Sequence, residues 1–343
     1  SPLFSDGLLT YSFDQNLAPG TIVSIPLGKK TALGIIYRKT TAPTDQNFVI
    51  KSINKIVHPI PLPNHLLKSL AWLSSYYLNP VAKTANLFLP LGIEKNRRKK
   101  SSASTFIPQF SNPIQDIASP IAATTTHYQI PLNPAQKQAL TELHKIKTHT
   151  KLLHGITGSG KTNIYLELAS QVFSSNQSVI LLVPEISLTP QLVGRFQEHF
   201  GTQVISLHSK LTEAERHLIW QRIHEADQST PFVIIGPRSA LFSPLKNLGL
   251  IIIDEAHEPS FYQDTSPRYH ALRLASFMAQ TLKIDCLLGT ATPRVEDYFL
   301  AQKNHAYVAL SEKAKSITSQ TKISLIDLKD RALFTRNRYF SDA

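Results

Sequence analysis

Gly155-Ile156-Thr157-Gly158-Ser159-Gly160-Lys161-Thr162 is the stretch whose reading decides the fold. It follows the short apolar run Leu152-Leu153 and opens the pattern Ile164, Tyr165, Leu168, Val172. Strand, glycine-rich turn and helix, in that order, form the setting in which such a turn cradles phosphate. Gly158 and Gly160 let backbone N–H groups close around phosphate oxygens at a helix start, where unpaired donors and the helix dipole favour an anion. Ser159 completes the turn, Lys161 can reach the β and γ phosphates, and Thr162 can offer its hydroxyl to Mg²⁺. A glycine-rich turn with no nucleotide is the plain alternative, and the complete spacing argues against it. Downstream, Leu250-Ile251-Ile252-Ile253 runs into Asp254-Glu255-Ala256-His257, an apolar strand ending in adjacent carboxylates. ATP with Mg²⁺ is the expected ligand.

The 343 residues suggest two or three domains, and 42% hydrophobic content is enough for real cores. A formal charge of +12 points to a polyanionic partner or at least to a basic surface. The single cysteine, Cys286, excludes a disulfide scaffold and any multi-cysteine zinc site within these residues. No run approaches the roughly 18 apolar residues of a membrane span, and no basic-then-apolar signal segment stands at the start. A cytoplasmic enzyme with no membrane partner is the expectation. Ser1 in place of Met suggests a trimmed or engineered terminus.

Residues 8–13, 21–26, 33–38 and 48–58 read as short strands, separated by Pro19-Gly20, by Gly28 with Lys29 and Lys30, and by a polar loop around Pro43. Small antiparallel barrels that grip nucleic-acid ends look like this, although composition alone does not single them out. Leu66, Leu67, Leu70, Leu73 and Tyr77 have helical period, and Leu87-Phe88-Leu89-Pro90 closes a first, mainly β domain over residues 1–92. Residues 93–127 combine Arg97-Arg98-Lys99-Lys100 with a Ser/Thr/Pro/Ala run, which reads as a flexible basic linker. Its charges either touch phosphates or are simply solvated.

From residue 128 to about 330 the grammar is α/β. A helix starts at Asn133-Pro134-Ala135-Gln136 and ends near His149. Apolar runs at 152–153, 179–183, 204–207, 232–235, 250–253 and 286–288 alternate with helical patterns. Buried parallel strands covered by helices on both faces are expected, with active groups beyond the strands' carboxyl ends. Residues 331–343 read as a tail.

Asp254 can order the Mg²⁺ shell, and Glu255 is placed to polarise the attacking water. Thr290-Ala291-Thr292-Pro293 puts small hydroxyl residues after a strand, suited to linking a nucleotide site to a neighbouring surface. Thr290 and Thr292 would otherwise be an ordinary helix cap. Gln136 could read an adenine edge, or merely cover surface.

Lys161 with Asp254-Glu255-Ala256-His257 and Thr290-Ala291-Thr292 has the spacing of a superfamily 2 helicase lobe. Val183-Pro184-Glu185 through Pro190-Gln191, Leu207-His208-Ser209, Gly236-Pro237-Arg238-Ser239 and Pro267-Arg268-Tyr269-His270 go further. Together they resemble the bacterial replication restart helicases. The resemblance implies a RecA-like lobe and an ATP-dependent 3′-to-5′ DNA helicase. Its implied partners are forked DNA with a nascent 3′-OH end, single-stranded DNA, single-strand DNA-binding protein and primosome proteins. It also implies that Phe13, Asp14, Gly28 and Lys51 hold the 3′-terminal nucleotide; a turn glycine and a surface lysine are the alternative readings. Pro184, Gln191, Arg238 and Ser239 match the family's contacts to single-strand backbone. Tyr262, Arg268 and Tyr269 stand in its aromatic-rich loop, where base stacking competes with core packing.

Three departures accompany the resemblance. The 93–127 segment is too short and polar for the family's winged-helix domain. Ala256 replaces a common second glutamate. The second lobe, with its arginines and eight zinc-binding cysteines, would lie beyond residue 343, so zinc is expected only there. Residues 1–343 are therefore expected to bind DNA and nucleotide without useful turnover. A catalytically incomplete DNA-structure-binding scaffold is the alternative; an ATPase of RNA metabolism leaves the first domain and the aromatic loop without a role.

Overall fold

A computed structural model describes residues 8–40, 49–90, 92–93 and 130–314. Most of the expected linker, with Arg97 and Arg98, and the 331–343 tail lie outside them. The amino-terminal unit has strands β1 (Ile22–Leu27), β2 (Lys30–Ile35) and β3 (Lys55–His58), in the antiparallel order β2-β1-β3. Helices α1 (Asn64–Tyr76) and α2 (Val81–Ala85) follow. The expected strand over 8–13 is reduced to a bridge between Ser12 and Ser52. The second strand begins three residues earlier than its apolar run, because Leu27 pairs directly with Lys30 across a tight turn.

The lobe begins with α3 (Pro134–Lys145), whose Asn133 and Gln136 form a reciprocal capping box with Pro134 in the first turn. Strands β4 (Thr150–Gly155), β5 (Ser178–Leu182), β6 (Val204–Ser206), β7 (Val233–Gly236) and β8 (Leu248–Ile253) alternate with α4 (Lys161–Ser174), α5 (Pro190–Phe200) and α6 (Glu213–Glu225). A two-residue pair, β9 (Tyr262–Gln263) and β10 (Tyr269–His270), precedes α7 (Ala271–Leu282), β11 (Asp285–Thr290), α8 (Val295–Lys303) and β12 (Tyr307–Leu310). The sheet order is β12-β4-β11-β8-β5-β7-β6, and every pairing is parallel. The mixed α/β architecture with a parallel RecA-like lobe agrees with the expectation. The edge strand β12 had no counterpart in the sequence reading.

Alternate side chains on one strand enter different cores. Leu152, Ile180, Ile251 and Leu288 face the layer holding α6 and α7. Leu153, Leu181, Ile252 and Leu287 face the layer holding α3, α4 and α5. This period of two, on strands buried on both sides, is what a doubly covered sheet requires. Ile22, Leu66, Leu70, Leu73 and Phe88 of the amino-terminal unit join the first of these cores. Phe88 meets Phe242 edge-on at 4.9 Å, and Trp72 stacks on Phe277 at 4.7 Å. Hence the two units share one continuous apolar layer.

Candidate active site

The carboxyl ends of β4, β11 and β8 are neighbours, so the phosphate-loop turn, Thr290 and Asp254-Glu255 meet at one rim. Gly158 and Gly160 both have φ of 79°, a left-handed backbone closed to most side chains. Among the described residues, a Cβ at Gly158 would meet nothing within 4 Å, which leaves that face of the turn open to them. Ser159 Oγ is buried with no hydrogen-bond partner among the described residues, and Lys161 Nζ donates to Gly155 O at 2.9 Å inside the turn. An open, donor-rich turn with an orphaned hydroxyl and a folded-in ammonium fits a nucleotide phosphate. Thr162 stands half-buried one residue into α4.

The carboxylates are set by burial. Desolvation raises Asp254 above the usual carboxylate range, against the Tyr165 hydroxyl and Lys161, which pull it down. Glu255 is also raised, by burial and then by the adjacent Asp254. Glu255 has φ of 48°, unusual for a side chain of its size and a mark of local strain at the end of β8. Tyr165, fully buried on α4, donates to Asp254 Oδ1 at 2.9 Å. His257 Nδ1 lies 2.8 Å from Thr290 Oγ1 and 3.5 Å from Glu255 Oε2. The Thr292 N–H donates to Thr290 Oγ1 at 3.1 Å, with Thr292 itself exposed. Thr290 is therefore bonded directly to the histidine that follows the two acids.

Gln136 departs from its expected role. Its Oε1 accepts from the Asn133 N–H at 3.0 Å, and its Nε2 donates to Ser159 O at 3.0 Å. With 1% exposure, the amide braces the back of the phosphate loop instead of turning outward to a base. Tyr269 departs too. It is buried and packs edge-on against Phe242 at 5.4 Å, which leaves no face for stacking. Tyr262 remains 41% exposed, and the Arg268 side chain is exposed while its Nε donates to Asp264 O at 2.9 Å. Arg238 is tied inward, donating to Ser260 O at 2.5 Å. Ser239 and Gln191 are exposed near the ends of β7 and β5, while Pro184 is buried there.

In the amino-terminal unit, the Ser12 N–H donates to Lys51 O and the Ile53 N–H to Ser12 O, both at 3.0 Å. This draws Phe13 and Asp14 beside Lys51. The Tyr11 hydroxyl donates to Pro26 O at 3.0 Å and ties the same segment to the hairpin whose turn carries Gly28. Phe13 is half-buried, whereas Asp14, Gly28 and Lys51 are exposed at this edge.

The family model of the 3′ DNA-binding domain matches residues 2–90, and that of the type III restriction enzyme res subunit matches residues 129–295. The replication restart protein PriA of Chlamydia pneumoniae is 33% identical over an alignment 391 residues long, which takes in 94% of this chain and 51% of that protein. The chain is homologous to the bacterial PriA replication restart helicases. PriA of Bacillus subtilis is 38% identical over 239 residues, 69% of this chain and 29% of its own length. PriA of Haemophilus influenzae reaches 43% over 181 residues, 52% of this chain and 24% of its own. This chain spans about half the length of the first of these PriA relatives. The two model matches fall on the two units that share the apolar layer. Tyr165, Arg294 and Asn79 carry bonds at or toward the site, yet a lone Tyr, Arg or Asn gives no sequence signal of such a role.

Proposed function

We propose that the chain is the nucleotide-binding and DNA-end-binding part of an ATP-dependent 3′-to-5′ DNA helicase of replication restart. It engages stalled or branched forks through the nascent 3′-OH end and single-stranded DNA, and promotes primosome assembly in the bacterial cytoplasm, near the nucleoid. Homology to PriA supports the general class, a superfamily 2 DNA helicase. The observation that supports the finer reading is the rim itself, where the phosphate-loop turn, Asp254-Glu255 and Thr290 come together in a lobe that shares an apolar layer with a unit matching a 3′ DNA-binding domain.

Bound Mg·ATP would supply the phosphoryl bond whose hydrolysis drives motion. The N–H groups from Gly158 to Thr162 would hold its phosphates, with Lys161 leaving Gly155 O for a phosphate oxygen. Thr162 and Asp254 would hold the metal. Glu255, whose pKa is raised by burial and then by Asp254, would be the group that accepts a proton from the attacking water. Asp14 would accept a hydrogen bond from the terminal 3′-OH, Gly28 would leave room for the nucleotide, and Lys51 would meet phosphate. Single-strand DNA-binding protein and primosome proteins are the further partners of this reading.

Lys161→Ala should weaken Mg·ADP binding by about 100-fold, as expected when a charged donor to phosphate is lost. Binding to a fork with a 3′-OH end should stay unchanged. A fork ending in 3′ phosphate should bind about 10-fold more weakly than its 3′-OH counterpart, through repulsion from Asp14 and a lost hydrogen bond. Equal binding of the two forks at fixed salt would remove Asp14 from the site. Among the described residues, Lys161 is the lysine or arginine that lowers the Asp254 and Glu255 pKa values. A motor of this class needs arginine donors as well, worth about 10³–10⁵ in rate. Residues 1–343 alone should therefore bind nucleotide with little DNA-stimulated turnover, the behaviour of a scaffold module. Robust turnover removed by Glu255→Gln would reject that half-motor reading.

A further inference from the structure

Residues 264–270, between the paired carboxylates and α7, are held from two sides. On one side stands the end of α1. The Asn79 N–H donates to Ser74 O at 3.0 Å, and Ser74 Oγ donates to Asn79 O at 2.6 Å. Asn79, so fixed, grips one lobe residue with both ends of its amide. Its Nδ2 donates to Arg268 O at 2.7 Å, and its Oδ1 accepts from the Arg268 N–H at 3.1 Å. Two residues on, the His270 N–H donates to the Tyr77 hydroxyl at 3.1 Å. This is the pairing one strand gives another, supplied by a side chain that is only 9% exposed.

On the other side stands Arg294. Its Nε and Nη2 donate to His257 O at 3.2 and 3.0 Å, while Nη1 lies 3.2 Å from His270 Nε2. Burial, Arg294 and Arg273 push the His270 pKa down to about 4, so the ring is neutral at physiological pH. A neutral ring has one acceptor nitrogen. The Leu272 N–H competes for it at Nδ1, also at 3.2 Å, and the charged guanidinium is the stronger claimant. His257 then reaches Thr290 and Glu255 through the contacts described above. The bonds thus run without a gap from Asn79 and Tyr77, through 268–270 and Arg294, to the rim of the nucleotide site.

We propose that Asn79, Tyr77 and Arg294 are positioning residues that join the amino-terminal unit to the paired carboxylates, so that a DNA 3′ end and Mg·nucleotide alter each other's affinity. The inference rests on the two-site reading given above. Such coupling is reciprocal by linkage, and a bonded route is evidence of coupling only when the coupling itself responds to its members.

The test measures the Mg·ADP affinity of the chain with and without a saturating 3′-OH fork, and the fork affinity with and without saturating Mg·ADP. Both ratios should be equal and about 10-fold, within the usual range for coupled sites. Arg294→Gln and Asn79→Ala should each bring the ratio below about 2 while the affinity for either ligand alone is kept, and the double variant should lose no more than either single one. Tyr77→Phe keeps the ring and removes only the hydroxyl, so it reads the same join without risk to folding. A ratio retained in Arg294→Gln and Tyr77→Phe overturns the proposal. A wild-type chain that binds both ligands with a ratio of one overturns it too, and leaves the proposed function standing. A chain that binds neither ligand overturns both.

Discussion

Gly289→Ala is expected to lower the melting temperature by about 10 °C and to weaken Mg·nucleotide binding, far more than a single methyl group usually does in a strand. Gly289 lies in β11, where the Tyr165 hydroxyl passes directly over its Cα and would overlap any added Cβ. Tyr165 is fully buried in α4 and has no room to swing aside. Overpacking of about 1–3 kcal/mol adds to the loss of a buried hydrogen bond to a carboxylate, of similar size. The second term is the link to function. The Tyr165 hydroxyl is among the groups that hold the Asp254 pKa down against burial. Displacing it makes Asp254 harder to ionise and poorer for a divalent cation. Tyr165→Phe is the control: it keeps the ring and should cost about 1 kcal/mol in stability while weakening Mg·ADP binding in the same direction. A Gly289→Ala chain that melts with the wild type would show that the ring does not pack there.

The parts of the site legible in the sequence are those that a fixed local spacing specifies. The phosphate-loop turn needs glycines at set offsets, and the paired acids end an apolar strand, so both could be placed before any fold was known. The rest depends on partners distant in sequence. By sequence Gln136 reads either as an adenine contact or as surface, because nothing local shows that Ser159 O lies behind it. Tyr269 and Tyr262 are both aromatic residues of one loop, and only the tertiary position of Phe242 buries the first. The apolar stripe of α1 announced a helix, but the same stripe would serve a private core or the shared one it enters. Residues 8–13 read as a strand, yet among the described residues only Ser12 finds a strand partner. Strand β12 is four residues long at an edge, below the length at which periodicity distinguishes strand from loop.

Stability should fall steeply as pH drops from 7.5 to 5.5, and the join between the units should open first. His65, His224 and His270 each have a pKa pushed down to about 4, chiefly by burial. In the unfolded chain each returns to about 6.5. Between those values the unfolded state binds more protons, so stability is fully present above pH 6.5 and is lost as the pH falls toward 4. At pH 5.5 each histidine has removed about 1.4 kcal/mol, or about 4 kcal/mol for the set, as an upper figure for independent groups. Asp254, Glu255 and Asp297 act with the opposite sign, since their raised pKa values make the folded state the better proton acceptor. Two of the three histidines sit at the join. His270 meets Tyr77 through its N–H, and His224 Nε2 lies 2.9 Å from Ile60 O. Around the His224 ring are His58 at 4.7 Å, Trp220 at 4.5 Å, Lys246 and Glu225; the Ile60 carbonyl and then Glu225 favour a charged imidazole, and burial outweighs both. His58, itself 3.6 Å from Glu225, shares that carboxylate with the His224 ring. Melting curves from pH 7.5 to 5.5 test the expectation, and His224→Gln should remove about a third of the slope. A flat profile in that interval would mean that these rings titrate normally and that the join is looser than its contacts indicate.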